Sequence, residues 1–298
     1  MRKFVIVTDS CSDLNKALRE EYDIDYIPMH LTINGERDTI ADLDFEEIPY
    51  KEYFQMLRDG VRIKTAQITA MEYKQAFTKY LDAGFDILSI SCSSALSASI
   101  KASQVARDEL LEIYPDAKIY CVDSLNACFG LGILCMIASD MRRDGKTIDE
   151  VAAWLEENKL KSNQECTVEK LTYLKNAGRV SAAKAFFGGL LNKKPIIISD
   201  AIGQNHAIET VKGRRASMER LAERVFERYE DHPYQKVVIC HADDQAAAEE
   251  FRAVIEAKFE GKELNIHMDK IGPIIGTSAG PGTIAIYFIG KEVTENKA

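Results

Sequence analysis

Hydroxyl side chains crowd three short stretches of this chain. Ser93, Ser94, Ser97 and Ser99 fall within seven residues, directly after the apolar run Asp86–Ser91. Thr65 and Thr69 bracket Ala66-Gln67-Ile68, and Asp9-Ser10-Cys11-Ser12-Asp13 follows Phe4–Thr8. Hydroxyls at the C-terminal end of a strand, with the free N–H groups of a following helix, suit an anion, and ligands of open α/β sheets bind at that edge. N-capping is the competing use, because Ser, Thr and Asp are preferred caps. One serine would satisfy a cap, so the Ser93–Ser99 cluster stays open between capping and binding. Thr69 reads as the cap of a helix over Met71–Leu81, and Ser12 or Asp13 as the cap of the helix after the first strand.

Other chemistries find less support. A nucleophilic hydrolase needs Ser or Cys beside a base and an orienting acid. The one Gly-x-Ser-x-Gly, Gly276-Thr277-Ser278-Ala279-Gly280, reads as part of a loop before a strand and lacks the strand-to-helix turn of a nucleophile elbow. His241 ends a strand-like run and precedes Asp243 and Asp244, but nothing in the sequence joins it to the serines. The five histidines are scattered and no two cysteines are spaced Cys-x-x-Cys, so no structural zinc site is expected. The segment Gly272–Gly282 reads as a tight loop before a strand, which fits neither a P-loop nor a dinucleotide fingerprint. Gly130 and Gly132 lie in a helical pattern, where each costs roughly 1 kcal/mol against Ala. Close approach of another element or a ligand would account for them. Two basic spots stand out, Lys175 to Arg179 and Lys212 to Arg215; Gly178 reads as a helix end that aims Arg179 at a pocket.

The elements that must position these residues alternate. Strand candidates are Phe4–Thr8, Asp86–Ser91, Ala117–Val122, Pro195–Ser199, Val237–Cys240 and Thr283–Ile289, several apolar on both alternations as strands covered on both faces are. Helical patterns fill the gaps: about Ala95–Tyr114, Thr147–Leu155, Leu171–Asn176, Ser181–Leu191, and two apolar stripes, Met218/Leu221/Val225/Tyr229 and Ala248/Phe251/Ile255/Phe259. The fold class expected is α/β with two α/β domains, a largely parallel sheet in the first and a mixed sheet in the second. The polar run Glu156–Gln164 suggests a boundary, giving domains 1–161 and 162–298.

Composition agrees. The chain has 298 residues, 46% hydrophobic and 29% charged, a globular balance. A net charge of −9 argues against a nucleic-acid partner bound through a basic surface. No stretch is long and apolar enough to cross a bilayer, and the N-terminus lacks a signal-peptide core. Seven cysteines, mostly in apolar runs, suggest a reducing cytoplasm and no disulfide framework.

Taken together, the chain resembles the DegV family of fatty-acid-binding proteins. The matching stretches run in order along nearly the whole chain: Val7–Ser10, Thr65-Ala66-Gln67, Ser93–Ser97, Val122-Asp123-Ser124 with Gly130 and Gly132, Leu174–Arg179, Lys194-Pro195, Lys212–Arg215 and Ile271–Gly282. The resemblance implies a long-chain fatty acid such as palmitate held between the two domains. Its carboxylate would meet the hydroxyls of Thr65, Ser93, Ser94 and Ser97, and its tail the apolar interior of the C-terminal half. Arg179, Lys212, Thr277 and Ser278 would form the head-group rim or face a partner, an ATP-dependent fatty acid kinase that receives the acyl chain. Burying about 14 methylenes at ~0.8 kcal/mol each offers roughly 11 kcal/mol, part of it offset by association costs. The chain departs from the family pattern at Ser278, where many relatives have His, and at Ala66, Ile68, Ala98 and Ala177.

On this reading the protein is a cytoplasmic carrier with no catalytic residue, metal or cofactor of its own, in fatty acid metabolism. The competing readings are a serine-dependent acyl hydrolase or phosphotransfer enzyme, and a protein–protein regulator with an incidental cavity.

Overall fold

A computed structural model describes residues 2–181 and 192–297, Ser181 by its backbone alone. Its organising feature is a helix apolar all round. Helix Phe129–Arg143 (here α5) buries twelve of its fifteen residues, as a helix enclosed on every side must. One side packs on a four-stranded sheet and the other on a seven-stranded one.

The first sheet comprises β1 (Phe4–Asp9), β2 (Ile24–Ile27), β6 (Asp86–Ser91) and β7 (Ile119–Asp123) in the order β2-β1-β6-β7. Every pair is parallel. Its flanking helices are α1 (Lys16–Tyr22), α3 (Ala70–Asp82), α4 (Ser99–Ile113) and α6 (Ile148–Asn158). Thr69 and Thr147 start α3 and α6 with full capping boxes, closed by Glu72 and Glu150. Between β2 and α3 lie a small antiparallel sheet, β3 (His30–Ile33), β4 (Arg37–Ile40) and β5 (Ile63–Ala66), and helix α2 (Tyr50–Arg58).

The second large sheet is mixed. It contains β8 (Ser162–Thr167), β9 (Val180–Ser181), β10 (Lys193–Ser199), β11 (Asn205–Lys212), β12 (Val237–His241), β13 (Ile266–Lys270) and β14 (Ile284–Ile289), in the order β13-β12-β14-β8-β10-β11-β9. The outer pairs β12/β13 and β11/β9 are parallel, and the four central pairings are antiparallel. Helices α8 (Arg214–Arg228) and α9 (Gln245–Lys258) cover its outer face over a separate core of Ile196, Leu221, Phe251, Ile255, Ile286 and Phe288. Both apolar stripes read from the sequence face this core. Helices α7 (Leu171–Ala177) and α10 (Pro273–Ala279) flank the opposite side.

All six strand candidates form strands, within two residues at each end. Three local expectations are corrected. Helix α4 starts at Ser99, not near Ala95, because residues 94–96 turn: the Ser93 hydroxyl accepts the Ala95 N–H and the Ser93 carbonyl accepts those of Leu96 and Ser97. Residues 272–282 contain helix α10, with Pro273 at its first position, where the missing N–H costs nothing. Asn15, not Ser12 or Asp13, caps α1: Ser10–Ser12 form a short 3-10 turn that ends at left-handed Asp13. The helix expected over 181–191 falls outside the described residues, except for Ser181, which is in β9.

Candidate functional site

The sheet edge where β1 and β6 end is built by a buried carboxylate. Asp9 Oδ1 accepts the Cys11 N–H and Oδ2 the Cys92 N–H, both at 2.8 Å, tying the two loops together. Burial pushes its pKa up, and the two N–H bonds act against that. Ser10 stitches the same edge to the small sheet, donating to Ala41 O at 2.8 Å and accepting from Met29 N at 2.9 Å. Asp9 and Ser10 of the Asp9–Asp13 cluster are therefore structural.

Beyond this edge, between the loops and the inner face of the mixed sheet, lies a cavity of about 620 Å³, within the roughly 300–1,000 Å³ typical of small-molecule sites. Its floor is the sheet: Cys166 and Val168 from β8 and its end, Ile197 from β10, Ala285 from β14. Leu174 of α7 and Ile274 and Ala279 of α10 wall one side. Cys11, Met29, Cys92 and, at the start of α5, Ala127 and Cys128 close another. Among the described lining residues Arg179 alone carries charge. The cavity is thus an apolar space with hydroxyls and one cation.

The sequence candidates divide. Thr65, Ser94 and Ser97 line the cavity, as do Arg179 and Ser278. Thr65 Oγ1 has no hydrogen-bond partner among the described residues. Ser97 Oγ lies 3.0 Å from Ser99 Oγ and accepts the Ser99 N–H at 3.2 Å, one position before the Ala98 N-cap of α4 and beside the cavity. Gly178 ends α7 at φ +67°, and Arg179 turns back to donate to Ala177 O at 2.6 Å. Ser278 Oγ donates to Ile274 O at 3.3 Å within α10.

Three candidates lie elsewhere. Ser93 is fully buried, its hydroxyl engaged by the Ala95 N–H and packed against Gly203, and lines no part of the cavity. Thr277 donates to Pro273 O at 2.9 Å and meets the Tyr53 hydroxyl. Lys212 is exposed at the end of β11, opposite Lys193.

An open groove of about 730 Å³ adjoins the cavity. Thr65, Arg179 and Ser278 line both, so they frame the junction. The groove adds Arg62, Lys64 and Thr277, and no described acidic residue lines it. The end of the cavity at this junction suits an anion.

Sequence reasoning missed the four thiols of the cavity wall, Cys11, Cys92, Cys128 and Cys166, and the polar pair Gln164 and Tyr287. Apolar context marked the cysteines as buried; nothing local told which way they point. All seven cysteines are free. Burial holds the Cys128 and Cys166 thiols well above their usual range, so they are neutral apolar surface rather than nucleophiles.

His241 does not serve the serines. Its Nδ1 accepts the Asp244 N–H at 3.1 Å, its carbonyl accepts the Tyr50 hydroxyl at 2.9 Å, and burial lowers its pKa. No group of three His, Cys, Asp or Glu among the described residues is arranged to hold a metal ion, and no described helix is long and apolar enough to cross a membrane.

The chain is similar to known proteins along nearly its whole length. Residues 3–291 match the model of a family described as uncharacterised proteins of the DegV family. A DegV domain-containing protein of Clostridium perfringens is 39% identical over 290 residues, 97% of this chain and 98% of that one. Two solved structures align along the molecule. A Thermus thermophilus DegV family protein described as binding fatty acid is 25% identical with a TM-score of 0.85. A Thermotoga maritima protein described as revealing fatty acid binding is 26% identical with a TM-score of 0.83. Each alignment covers 98% of this chain and 100% of the other.

Proposed function

The chain belongs to the DegV family, and from that premise we propose that it binds a long-chain fatty acid, with the carboxylate at the Thr65/Arg179/Ser278 junction and the tail in the cavity. The observation that carries the reading is the cavity wall: largely apolar and thiol surface, with uncharged polar groups at a few points and Arg179 its one described charge, at the junction with the groove. Burying the tail supplies most of the affinity, at ~0.8 kcal/mol per methylene. The head group fixes orientation. A carboxylate leaving water needs hydrogen bonds, and the hydroxyls of Thr65, Ser97 and Ser94, with the Arg179 guanidinium, supply donors. The fatty acid binding described for the Thermus and Thermotoga relatives supports the assignment.

We take residues 1–161 as the half that supplies the head-group loops and 162–298 as the half that lodges the tail. The protein is then a cytoplasmic carrier, not an enzyme. The open groove beside the junction, with Arg62 and Lys64, would receive the ATP-dependent kinase that phosphorylates the bound acid. No serine hydroxyl is bonded to a base among the described residues, which weighs against an acyl hydrolase.

The test is titration of the delipidated protein with palmitic, stearic and oleic acids. Saturable binding of one acid per chain supports the reading, and no uptake of any of them refutes it.

A further inference from the structure

Gln164 on β8 and Tyr287 on β14 are register partners, and both line the cavity. Side chains two apart on a strand share a face, so Gln164 continues the row of Cys166 and Val168, with Ala285 and Ile197 beside Cys166. The pair is a polar patch in an apolar floor. The Tyr287 hydroxyl donates to Gln164 Oε1 at 3.4 Å, a long contact, and Gln164 Nε2 donates to Asn205 Oδ1 at 3.1 Å. Both residues are buried, at 5% and 3% exposure.

These bonds do not exhaust the pair. A carboxamide has two N–H donors and two acceptor sites on oxygen, and a phenol oxygen keeps its lone pairs when it donates. Among the described residues one Gln164 N–H and one Oε1 site remain, while the Tyr287 hydroxyl also meets the Cys128 thiol. A chain of methylenes laid over them offers no partner and removes water, which penalises binding. A hydroxyl on the chain accepts the Gln164 N–H and donates to Gln164 Oε1, beside the Tyr287 hydroxyl.

Resting on the fatty-acid reading above, we propose that Gln164 and Tyr287 form a hydroxyl-recognising subsite, and that the preferred ligands are fatty acids hydroxylated along the chain.

The experiment measures Kd of the delipidated protein for stearic acid and for a positional series of hydroxystearic acids. One position, or two adjacent ones, should match or exceed stearic acid. The other isomers should bind roughly tenfold or more weakly, because their hydroxyl is buried against carbon and sulfur. Gln164→Leu combined with Tyr287→Phe should cost the favoured isomer about tenfold or more and leave stearic acid unchanged or tighter. Tyr287→Phe alone, the milder change, should move the ratio the same way. A uniform penalty at every position, or a preference that survives the double substitution, overturns the proposal. Failure of wild-type protein to bind stearic acid and every isomer overturns the fatty-acid reading itself.

Discussion

The Ser97 and Ser99 hydroxyl oxygens lie 3.0 Å apart where β6 gives way to α4, and Ser97 both accepts the Ser99 N–H and lines the cavity. A backbone bond at the helix start and a place in the cavity wall are therefore compatible in one side chain. Thr65 has no such second duty. Replacing both, Thr65→Val with Ser97→Ala, should weaken fatty acid binding by about 1–3 kcal/mol, the worth of two neutral hydrogen bonds. Losing the bond to the Ser99 N–H costs about 1 kcal/mol of stability, so the circular dichroism spectrum should persist. Unchanged affinity would remove both hydroxyls from the head-group site.

The tail site predicts occlusion. Ala285 lies on the cavity floor and is 1% exposed. Ala285→Leu places three more carbons there. Competition against a fluorescent fatty acid should show loss of long chains before short ones; equal loss at all lengths would contradict the tail's placement.

The helix glycines give a prediction whose sign is diagnostic. By helix propensity alone Gly132→Ala would stabilise by about 1 kcal/mol. A Cβ at Gly132 would stand 2.7 Å from the Ser12 carbonyl oxygen and 3.1 Å from Leu14, and a backbone atom cannot swing aside. Denaturant melts should show destabilisation of roughly 1–3 kcal/mol. A more stable variant would mean that this approach is not as close as described.

Glu165 sits on the outer face of the mixed sheet, paired with Arg224 at 2.7 Å and with Oε1 unpartnered among the described residues. Burial raises its pKa to about 7, against the opposing pull of Arg224. A raised folded-state pKa means that this contribution to stability is full below the ordinary value near 4.5. It declines as pH rises and is lost past about 7. The stability of wild type relative to Glu165→Gln should fall between pH 5 and pH 8, by roughly 1–3 kcal/mol. Parallel pH profiles would contradict this.

Ligand removal should expose the thiols of the wall. Cys11, Cys92, Cys128 and Cys166 line the cavity. Peptide mapping after brief alkylation should find these four modified faster in delipidated protein than in protein loaded with fatty acid. Identical patterns would separate the lipid from this wall.

Much of this was legible in the chain because the signals were local. The six strongest strands are apolar runs, Thr69 caps α3 by short-range bonds, and Gly178 ends α7 where a left-handed residue is needed. The small sheet was missed because β3, β4 and β5 have four residues each, too few for alternation to stand out. Helix α10 hid among glycines and prolines that usually mark loops. Thr65, Ser94, Ser97, Arg179 and Ser278, singled out by type and order, all line the cavity. Ser93 lies outside the cavity because its hydroxyl is engaged within the serine-rich turn. Gln164 and Tyr287 are 123 positions apart, and only sheet register brings them together.

The central claim is that the cavity holds a fatty acid. Native mass spectrometry of the protein as purified from cells, followed by solvent extraction of what it carries, tests this most directly. The account predicts one fatty acid per chain, released on denaturation and identifiable by mass. A clean apo mass, with no adduct after incubation with long-chain acids, would contradict it.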